Sequence, residues 1–291
     1  MQFLQILIDG FAISSLYALG AIGFTLIFGV SGVLNLSHGG VMVVAALIGW
    51  YAAGSLEFGT YLGSLAGVLA AVLLAYLTYF LIVRPIQLSR TISSDETEIF
   101  VLTATLLWGI MIQVGMSYVF SDNPVTMRPM VGGIADIFGV RTPINEIFIA
   151  VICWVAIALL WLFVNRTDAG KALLAASINA RGVVLLGFDL SHIYWLVWGI
   201  YGLLTGIAGI LLASFLGVST SNVGQLTASA FTIVVLGGLG SVGGSLIAAY
   251  VVGYLETATA YLIAPTLRPI PALILLVLII YARPQGLLGR R

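Results

Sequence analysis

Charged residues are scarce in this sequence. Lys, Arg, Asp and Glu together make up 8% of its 291 residues, and 11 basic residues balance 11 acidic ones. Hydrophobic residues make up 61% of the chain, and the mean hydropathy is +1.15. Soluble domains are roughly one quarter charged, so this chain lacks the polar groups that would cover its surface in water. A water-soluble fold is excluded, and the zero net charge argues against a nucleic-acid partner.

Residues that carry enzyme chemistry are also few. Cys153 is the single cysteine, so no disulfide can form within the chain. The two histidines, His38 and His192, are far apart in sequence, and neither belongs to a His-Glu-x-x-His motif, which argues against a metal site. The Gly-Lys pair at 170–171 is followed by Ala and has no Gly five residues earlier, so it is not a nucleotide-binding loop. We therefore expect no catalytic residue, no metal and no cofactor bound by this chain itself.

Apolar runs long enough to cross a membrane are abundant instead. A membrane-spanning helix needs about 20 such residues, and the runs recur as far as Tyr281. The stretches 10–53 and 190–255 contain no formally charged residue and fit spans joined by tight turns near 29–40, 219–224 and 237–244. The sequence predicts an all-α, polytopic membrane protein with a single transmembrane domain over residues 1–291. About eight or nine transmembrane helices are expected, some of them broken or re-entrant.

The basic residues in the short loops predict the orientation. With nine crossings, three clusters of Lys and Arg fall on one side of the membrane, and three single Arg residues fall on the other. Cytoplasmic loops carry the excess of basic residues, so the N-terminus is predicted outside and the C-terminus in the cytoplasm. The clusters are Arg84 and Arg90; Arg166, Lys171 and Arg181; Arg283, Arg290 and Arg291; the single residues are Arg128, Arg141 and Arg268.

Polar residues within the apolar runs are candidates for a translocation pathway. The polar segment Asn35 to Gly40 contains Ser37, which is predicted to cap a helix that resumes at Val41, and His38. A helix broken here would aim backbone N–H groups at a cavity and attract anionic groups of a substrate; the alternative is a plain cytoplasmic turn.

Glu256 is the fourth candidate for the pathway, after Asn35, Ser37 and His38. A carboxylate within a membrane is costly and is a functional candidate for that reason. Its position near the end of a span leaves a second interpretation, a solvated residue at the interface.

Residues 171–187 have the pattern of an amphipathic helix at the membrane surface. Apolar residues recur at helical spacing from Ala172 to Val184, and Gly187 is a plausible stop. Such a helix suits docking in a partner's groove; the alternative is a connector that lies on the membrane. In the run that begins at Ile193, Gly and Ala residues every three or four positions predict a face against which another helix packs closely.

Three motifs in this order resemble the LivH-type permease subunits of branched-chain amino acid ABC importers. The first is Asn35-Leu36-Ser37-His38-Gly39, which is similar to the family's Asn-Phe-Ala-His-Gly element. The second is Gly237-Gly238-Leu239-Gly240-Ser241, and the third is Arg283-Pro284-Gln285-Gly286-Leu287-Leu288-Gly289. Together with a matching Arg84-Pro85 they extend over nearly the whole chain.

The resemblance implies a subunit of a bacterial inner-membrane importer rather than an enzyme. Two permease chains would form the pathway, either this chain with a LivM-type subunit or two copies of it. Two cytoplasmic ABC ATPases would bind and hydrolyse ATP. An extracytoplasmic solute-binding protein would deliver the substrate, which is a branched-chain or other small amino acid or a related amide or acid. Membrane lipid would surround the chain. The segment at about 171–187 is similar to the family's coupling helix, and the resemblance implies that its contacts with the ATPase are Ala175, Ala176, Asn179, Arg181 and Gly187.

Two other classes of function remain as alternatives. A stand-alone channel or secondary transporter would need a membrane-embedded charge relay. We expect none, because Asp9 and Glu256 both lie near span ends. An intramembrane enzyme would need a paired nucleophile and base, which the sequence does not offer.

Overall fold

A computed structural model describes residues 2–89, 92–137, 139–283 and 285–289 of the chain. Arg90, Pro284, Arg290 and Arg291, which contribute to the charge count or to the C-terminal motif, lie outside the described residues. The described chain is built from α-helices and one short β-hairpin. The helices are α1 Gln2–Ser31, α2 His38–Gly54, α3 Gly59–Thr78, α4 Arg84–Gln87, α5 Ser94–Phe120, α6 Ile144–Arg166, α7 Asp168–Leu185, α8 Leu190–Phe215, α9 Val223–Gly237, α10 Val242–Leu262 and α11 Ile270–Ala282; the strands are β1 Ile134–Ile137 and β2 Val140–Pro143.

The predicted all-α, polytopic architecture is confirmed, whereas the predicted count of eight or nine spans is not. Within the described residues, six helical segments are long and apolar enough to cross a membrane: Gln2–Ser31, Gly59–Gln87, Glu96–Phe120, Ile144–Arg166, Leu190–Phe215 and Pro265–Ala282. Helix α2 has 17 residues and α9 has 15, both short of the roughly 20 that a span needs. Helix α10 has 21 residues, but Glu256 and nearby threonines make it less apolar. Both short helices follow irregular backbone, as expected of broken helices.

Helix α1 lies at the centre of the bundle. It is buried along most of its length and contacts α6, α7, α8, α9 and α10. Helix α8 packs against α3 and α2 through its predicted face of small residues. A Cβ at Gly206 would lie 3.1 Å from Val68 Cα on α3, and one at Gly209 would lie 2.3 Å from the Met42 carbonyl oxygen on α2. The close helix packing predicted for this face is therefore confirmed.

The loop between α5 and α6 folds into the β-hairpin. Its strands pair antiparallel, with Ile134 opposite Pro143, and the Gly139 N–H donates to Asp136 Oδ1 (2.8 Å). Gly139 has a φ of 83°, which favours glycine in a tight hairpin turn. We call this side of the bundle the hairpin end, and the opposite side, where α6 leads into α7, the α7 end.

Candidate functional site

The segment between α1 and α2 is a buried helix break rather than an exposed turn. Asn35, Ser37 and His38 have no exposed surface. The Asn35 side-chain amide donates to the Tyr201 hydroxyl on α8 (3.1 Å), and its Oδ1 accepts from the backbone N–H (3.1 Å) and the hydroxyl (2.7 Å) of Ser37. The Leu36 backbone N–H donates to the Thr105 hydroxyl on α5 (3.1 Å). Helices α5 and α8 therefore hold the break in a fixed shape, as irregular backbone at membrane depth requires.

The first backbone donors of α2 are already engaged within the protein. The Gly39 N–H donates to Thr227 Oγ1 on α9 (2.9 Å), and the Ser37 N–H donates to Asn35. Ser37 occupies the predicted N-cap position, but α2 begins at His38 rather than Val41, and the Ser37 hydroxyl donates to Asn35 instead of accepting from a backbone N–H of the helix. These two N–H groups are therefore not available to a substrate.

His38 carries a polar atom that the break leaves unused. Its Nδ1 lies 3.3 Å from the Tyr201 hydroxyl, and its ring stacks on Phe24 of α1 with the centroids 5.2 Å apart. Its Nε2 is buried and has no hydrogen-bond partner among the described residues. Gly20 of α1 leaves room on that side, since a Cβ there would lie 3.6 Å from Nε2. An unsatisfied buried nitrogen marks a place where a water or a substrate group would be stabilised.

Glu256 lies in a buried ion pair. Its side chain has no exposed surface, and its Oε2 accepts from the Tyr17 hydroxyl of α1 (2.7 Å) and lies 3.7 Å from Arg268 Nε. In the part of the chain that the structure describes, Glu256 Oε1 and Arg268 Nη2 have no hydrogen-bond partner. The interpretation of Glu256 as a solvated interfacial residue is therefore wrong, and its role in the pathway stays a prediction. Tyr17 and Arg268 were not singled out from the sequence, which does not show that α1 faces the end of α10.

Two further carboxyl groups lie close together at the hairpin end. Asp9 of α1 accepts from the side-chain amide of Gln5 (2.7 Å) and from the Tyr261 hydroxyl on α10. Glu146 of α6 lies against Asp9, and its Oε2 is buried without a partner among the described residues. Asp9, Glu146 and Glu256 are all buried within the protein, and the expectation that the spans contain no charge relay stays a prediction. The positions of Asp9 and Glu256 near span ends did not indicate that both side chains face the protein interior.

The predicted amphipathic surface helix consists of two segments that meet at Asn179. Asn179 has non-helical backbone angles (φ −154°, ψ 93°) inside α7, and its Oδ1 accepts from the Gly182 N–H (3.0 Å). It therefore caps the second segment. Gly187 ends that segment with a φ of 86°, and its N–H donates to the Val184 carbonyl (2.9 Å). The prediction of one continuous helix over 171–187 is corrected to a kinked pair, with Asn179 and Gly187 setting its shape.

The face of α7 that points away from the bundle is apolar. Six large hydrophobic side chains on and just after α7 are between 45% and 87% exposed: Leu174, Ile178, Val184, Leu185, Leu186 and Phe188. The sequence pattern did not reveal this patch, because the apolar residues at helical spacing mainly mark the opposite, buried face of α7. Of the residues predicted to contact the ATPase, Ala175, Asn179, Arg181 and Gly187 lie at the surface, whereas Ala176 is buried against the bundle.

The second and third motifs of the resemblance pack on each other. The C-terminal residues lie across the turn between α9 and α10, where the Leu287 N–H donates to the Leu236 carbonyl (2.8 Å) and the Leu288 N–H to that of Gly237 (3.0 Å). Gly286 has a φ of 76°, and a Cβ there would lie 2.5 Å from Gly238 Cα. These glycines therefore have a structural role, which is to let the C-terminus pack against the turn.

Comparison with known proteins connects this geometry to one family. Residues 6–282 match the family model described as the permease component of branched-chain amino acid transport systems. The high-affinity branched-chain amino acid transport system permease protein BraD of Pseudomonas aeruginosa is 29% identical over 99% of this chain and 96% of its own. The corresponding LivH of Escherichia coli is 26% identical over 100% and 96% of the two chains. The solved structure of PsaBC from Streptococcus pneumoniae with a Fab shares the fold, with a TM-score of 0.52 and 16% identity over 98% of this chain and 93% of that one.

Proposed function

This chain belongs to the family of permease components of branched-chain amino acid transport systems, and on that premise we propose that it forms half of the membrane pathway of an ABC importer. The cargo is a branched-chain or other small amino acid, or a related amide or acid, and the whole chain, residues 1–291, acts as one permease domain. The family match over residues 6–282 carries the proposal. The chain is a transport subunit without ATPase activity or a cofactor of its own, and partner subunits bind the ATP.

The kinked helix α7 supplies the contact that couples ATP hydrolysis to transport. Its exposed apolar patch is suited to docking in a groove of an ATPase subunit. Its inner face packs against the bundle through Leu173, Ala176 and Val183, so a displacement of the patch moves the buried face with it. α7 contacts both α6 and α8 and the central helix α1. Closure of the ATPases would thereby reach the pathway helices and alternate their access between the two sides.

Asn35, Ser37, His38 and Glu256 are proposed to line or shape that pathway. The unused Nε2 of His38 and the unused Oε1 of Glu256 are the polar atoms available for a water or a zwitterionic cargo. The side chains of Asn35 and Ser37 make their hydrogen bonds within the protein, so these two residues act by holding His38 in place. A mostly apolar pathway with a few polar groups suits neutral or zwitterionic cargo better than a charged solute.

The N-terminus is proposed to lie outside and the C-terminus in the cytoplasm of a bacterial cell. The clustering of Arg84 and Arg181 around one cavity at the α7 end supports this orientation, because cytoplasmic ends carry the basic excess. The remaining partners are a second permease, of the LivM type or a second copy of this chain, and an extracytoplasmic binding protein.

Co-purification from the native membrane tests the coupling contact. We expect wild-type chain to retain ATPase subunits and Ile178→Glu to lose them, because the side chain at 178 is 63% exposed and a charge there disrupts an apolar docking surface without disturbing the fold. The control is Lys171→Glu, which changes the charge of the same helix outside the apolar patch. Retention of the ATPases by Ile178→Glu, or their loss from Lys171→Glu alone, would contradict the assignment.

A stand-alone channel or secondary transporter is the second candidate. The observation that favours it is the buried group of Asp9, Glu146 and Glu256, which is the kind of feature that ion-coupled transport uses. Transport by purified chain in liposomes without ATP, driven by a proton or sodium gradient, would support this candidate over the importer.

A further inference from the structure

Two adjoining cavities open at the α7 end of the bundle. The larger one, of about 870 Å³, lies where α1, α4, α5, α7 and α8 meet, and it is lined by Arg84, Arg181 and several hydroxyl and amide side chains. The smaller one, of about 380 Å³, is a groove between Phe80 and Trp195. Tyr79, Arg84 and Ser191 line both cavities, so the polar cavity continues directly into the aromatic groove.

Two arginines give the larger cavity its positive charge. Among the side chains that the structure describes, no carboxylate lies within ion-pair distance of Arg84 or Arg181. The nearby Asp189 keeps its negative charge, but its carboxylate accepts from the Ser191 N–H (2.8 Å) and lies 3.1 Å from His192 Nδ1 rather than beside either arginine. These contacts hold the pKa of Asp189 below its ordinary value, with the Ser191 N–H as the largest cause. The cavity therefore presents two guanidinium groups that have no ion-pair partner among the described side chains.

The groove has the character of a lipid-facing surface. Phe80 is 40% and Trp195 is 51% exposed, and Trp195 stacks on Tyr76 with the ring centroids 4.9 Å apart. The Arg84 guanidinium lies over the Phe80 ring, 5.8 Å from its centroid, at the junction of the two cavities. An arginine at the end of a span with an apolar wall on its membrane side is placed to meet a lipid phosphate. The backbone there is a π-helical turn, Tyr79–Val83, a feature often found at functional sites.

We propose that the cavity around Arg84 and Arg181 and the adjoining Phe80–Trp195 groove form a binding site for one anionic phospholipid. The phosphate binds the two arginines, and an acyl chain lies in the groove. Basic pockets between membrane helices at the cytoplasmic surface are known to bind lipid headgroups in this way. Because Arg181 belongs to α7, a lipid bound here joins α7 to α4 and α8. This proposal rests on the proposed function in one respect only, which is that the proposed orientation assigns the site to the inner leaflet of the membrane.

Native mass spectrometry of the full-length chain, purified with the subunits that accompany it, tests the site. The probes are phosphatidylglycerol and phosphatidylethanolamine titrated in detergent, with inorganic phosphate as a competitor. We expect selective retention of phosphatidylglycerol, a loss of affinity of about fivefold for Arg84→Gln or Arg181→Gln alone, and about 25-fold for the double variant. The control is Arg166→Gln with Lys171→Gln, which removes two exposed positive charges outside the cavity and should leave binding unchanged.

Each outcome decides the proposal. Arg84→Lys with Arg181→Lys keeps the charge and should retain most of the binding, which separates loss of the site from misfolding. Equal retention of the two lipids, or unchanged binding by the double Gln variant, would overturn the site. Displacement of the lipid by inorganic phosphate would assign the arginines to free phosphate instead. If the double Gln variant loses the ATPase subunits while its lipid binding is unchanged, the cavity belongs to an acidic segment of the partner, and the lipid site fails while the importer function stands.

Discussion

Removal of either partner of the Glu256–Arg268 ion pair is expected to be strongly destabilising. The carboxylate is fully buried, and its Oε2 lies 3.7 Å from Arg268 Nε. At an effective dielectric constant of about 20, two unit charges near this distance attract by about 4 kcal/mol. Truncation of one partner of a buried pair typically costs about 3–5 kcal/mol because the other charge remains buried and uncompensated. We therefore expect Glu256→Ala and Arg268→Ala each to lower the stability of the chain by about 3 kcal/mol or more.

The assay is a double-mutant cycle on purified protein in a fixed detergent. Unfolding would be followed for wild type, both single variants and the double variant. The double variant should be more stable than the sum of the single losses predicts, with a coupling energy of at least about 1.5 kcal/mol. Single losses that add within about 0.5 kcal/mol would refute the reasoning, because independent sites behave in that way. Tyr17→Phe removes the hydrogen bond that the Tyr17 hydroxyl donates to the carboxylate and should cost about 1.5–3 kcal/mol, the usual range for a hydrogen bond to a charged group.

Three further outcomes follow from local geometry. Gly286→Ala should lower stability by about 1–3 kcal/mol, because the position combines positive φ with backbone contact, whereas Gly243→Ala, which meets nothing within 4 Å, should be near neutral in the same thermal melts. Tyr201→Phe leaves a buried amide without an acceptor and should cost about 1–3 kcal/mol; a melting temperature equal to wild type would show that the hydroxyl does not hold the helix break. Asn179→Ala removes the cap at the α7 kink and should cost about 1 kcal/mol and reduce ATPase co-purification, with Asn179→Asp restoring both; no difference between Ala and Asp would argue against the cap.

The positions of the helices and of the breaks between them were largely predictable from the sequence. A helix in a membrane needs apolar residues along its whole length, so polar and Gly-rich stretches mark where helices end. The predicted break near 29–40 falls between the end of α1 at Ser31 and the start of α2 at His38, and the predicted turns near 219–224 and 237–244 separate α8, α9 and α10. The predicted span count is not confirmed, because apolar composition does not distinguish a full crossing from a short, buried helix. α2 and α9 are apolar because protein covers them, and at 17 and 15 residues they need not reach both membrane surfaces.

Candidate residues were predictable by type but not by partner. His38 and Glu256 stand out as polar residues in apolar runs, and the structure finds both fully buried. Tyr201, the partner of His38, lies 163 positions away in sequence. Arg268, the partner of Glu256, lies 12 positions away. No local sequence pattern connects either pair. The kink at Asn179 was missed because periodicity alone favours a continuous helix, although Asn followed three residues later by Gly is compatible with a cap.

Uptake into proteoliposomes tests the central claim most directly. This chain would be reconstituted with the permease, ATPase and binding-protein partners recovered with it, and radiolabelled leucine would be offered with and without ATP. The account predicts uptake that requires both ATP and the binding protein and that falls to background when Ile178→Glu replaces the wild-type chain. Leucine uptake by this chain alone, without ATP and driven by an ion gradient, would contradict the importer and support the secondary-transporter candidate.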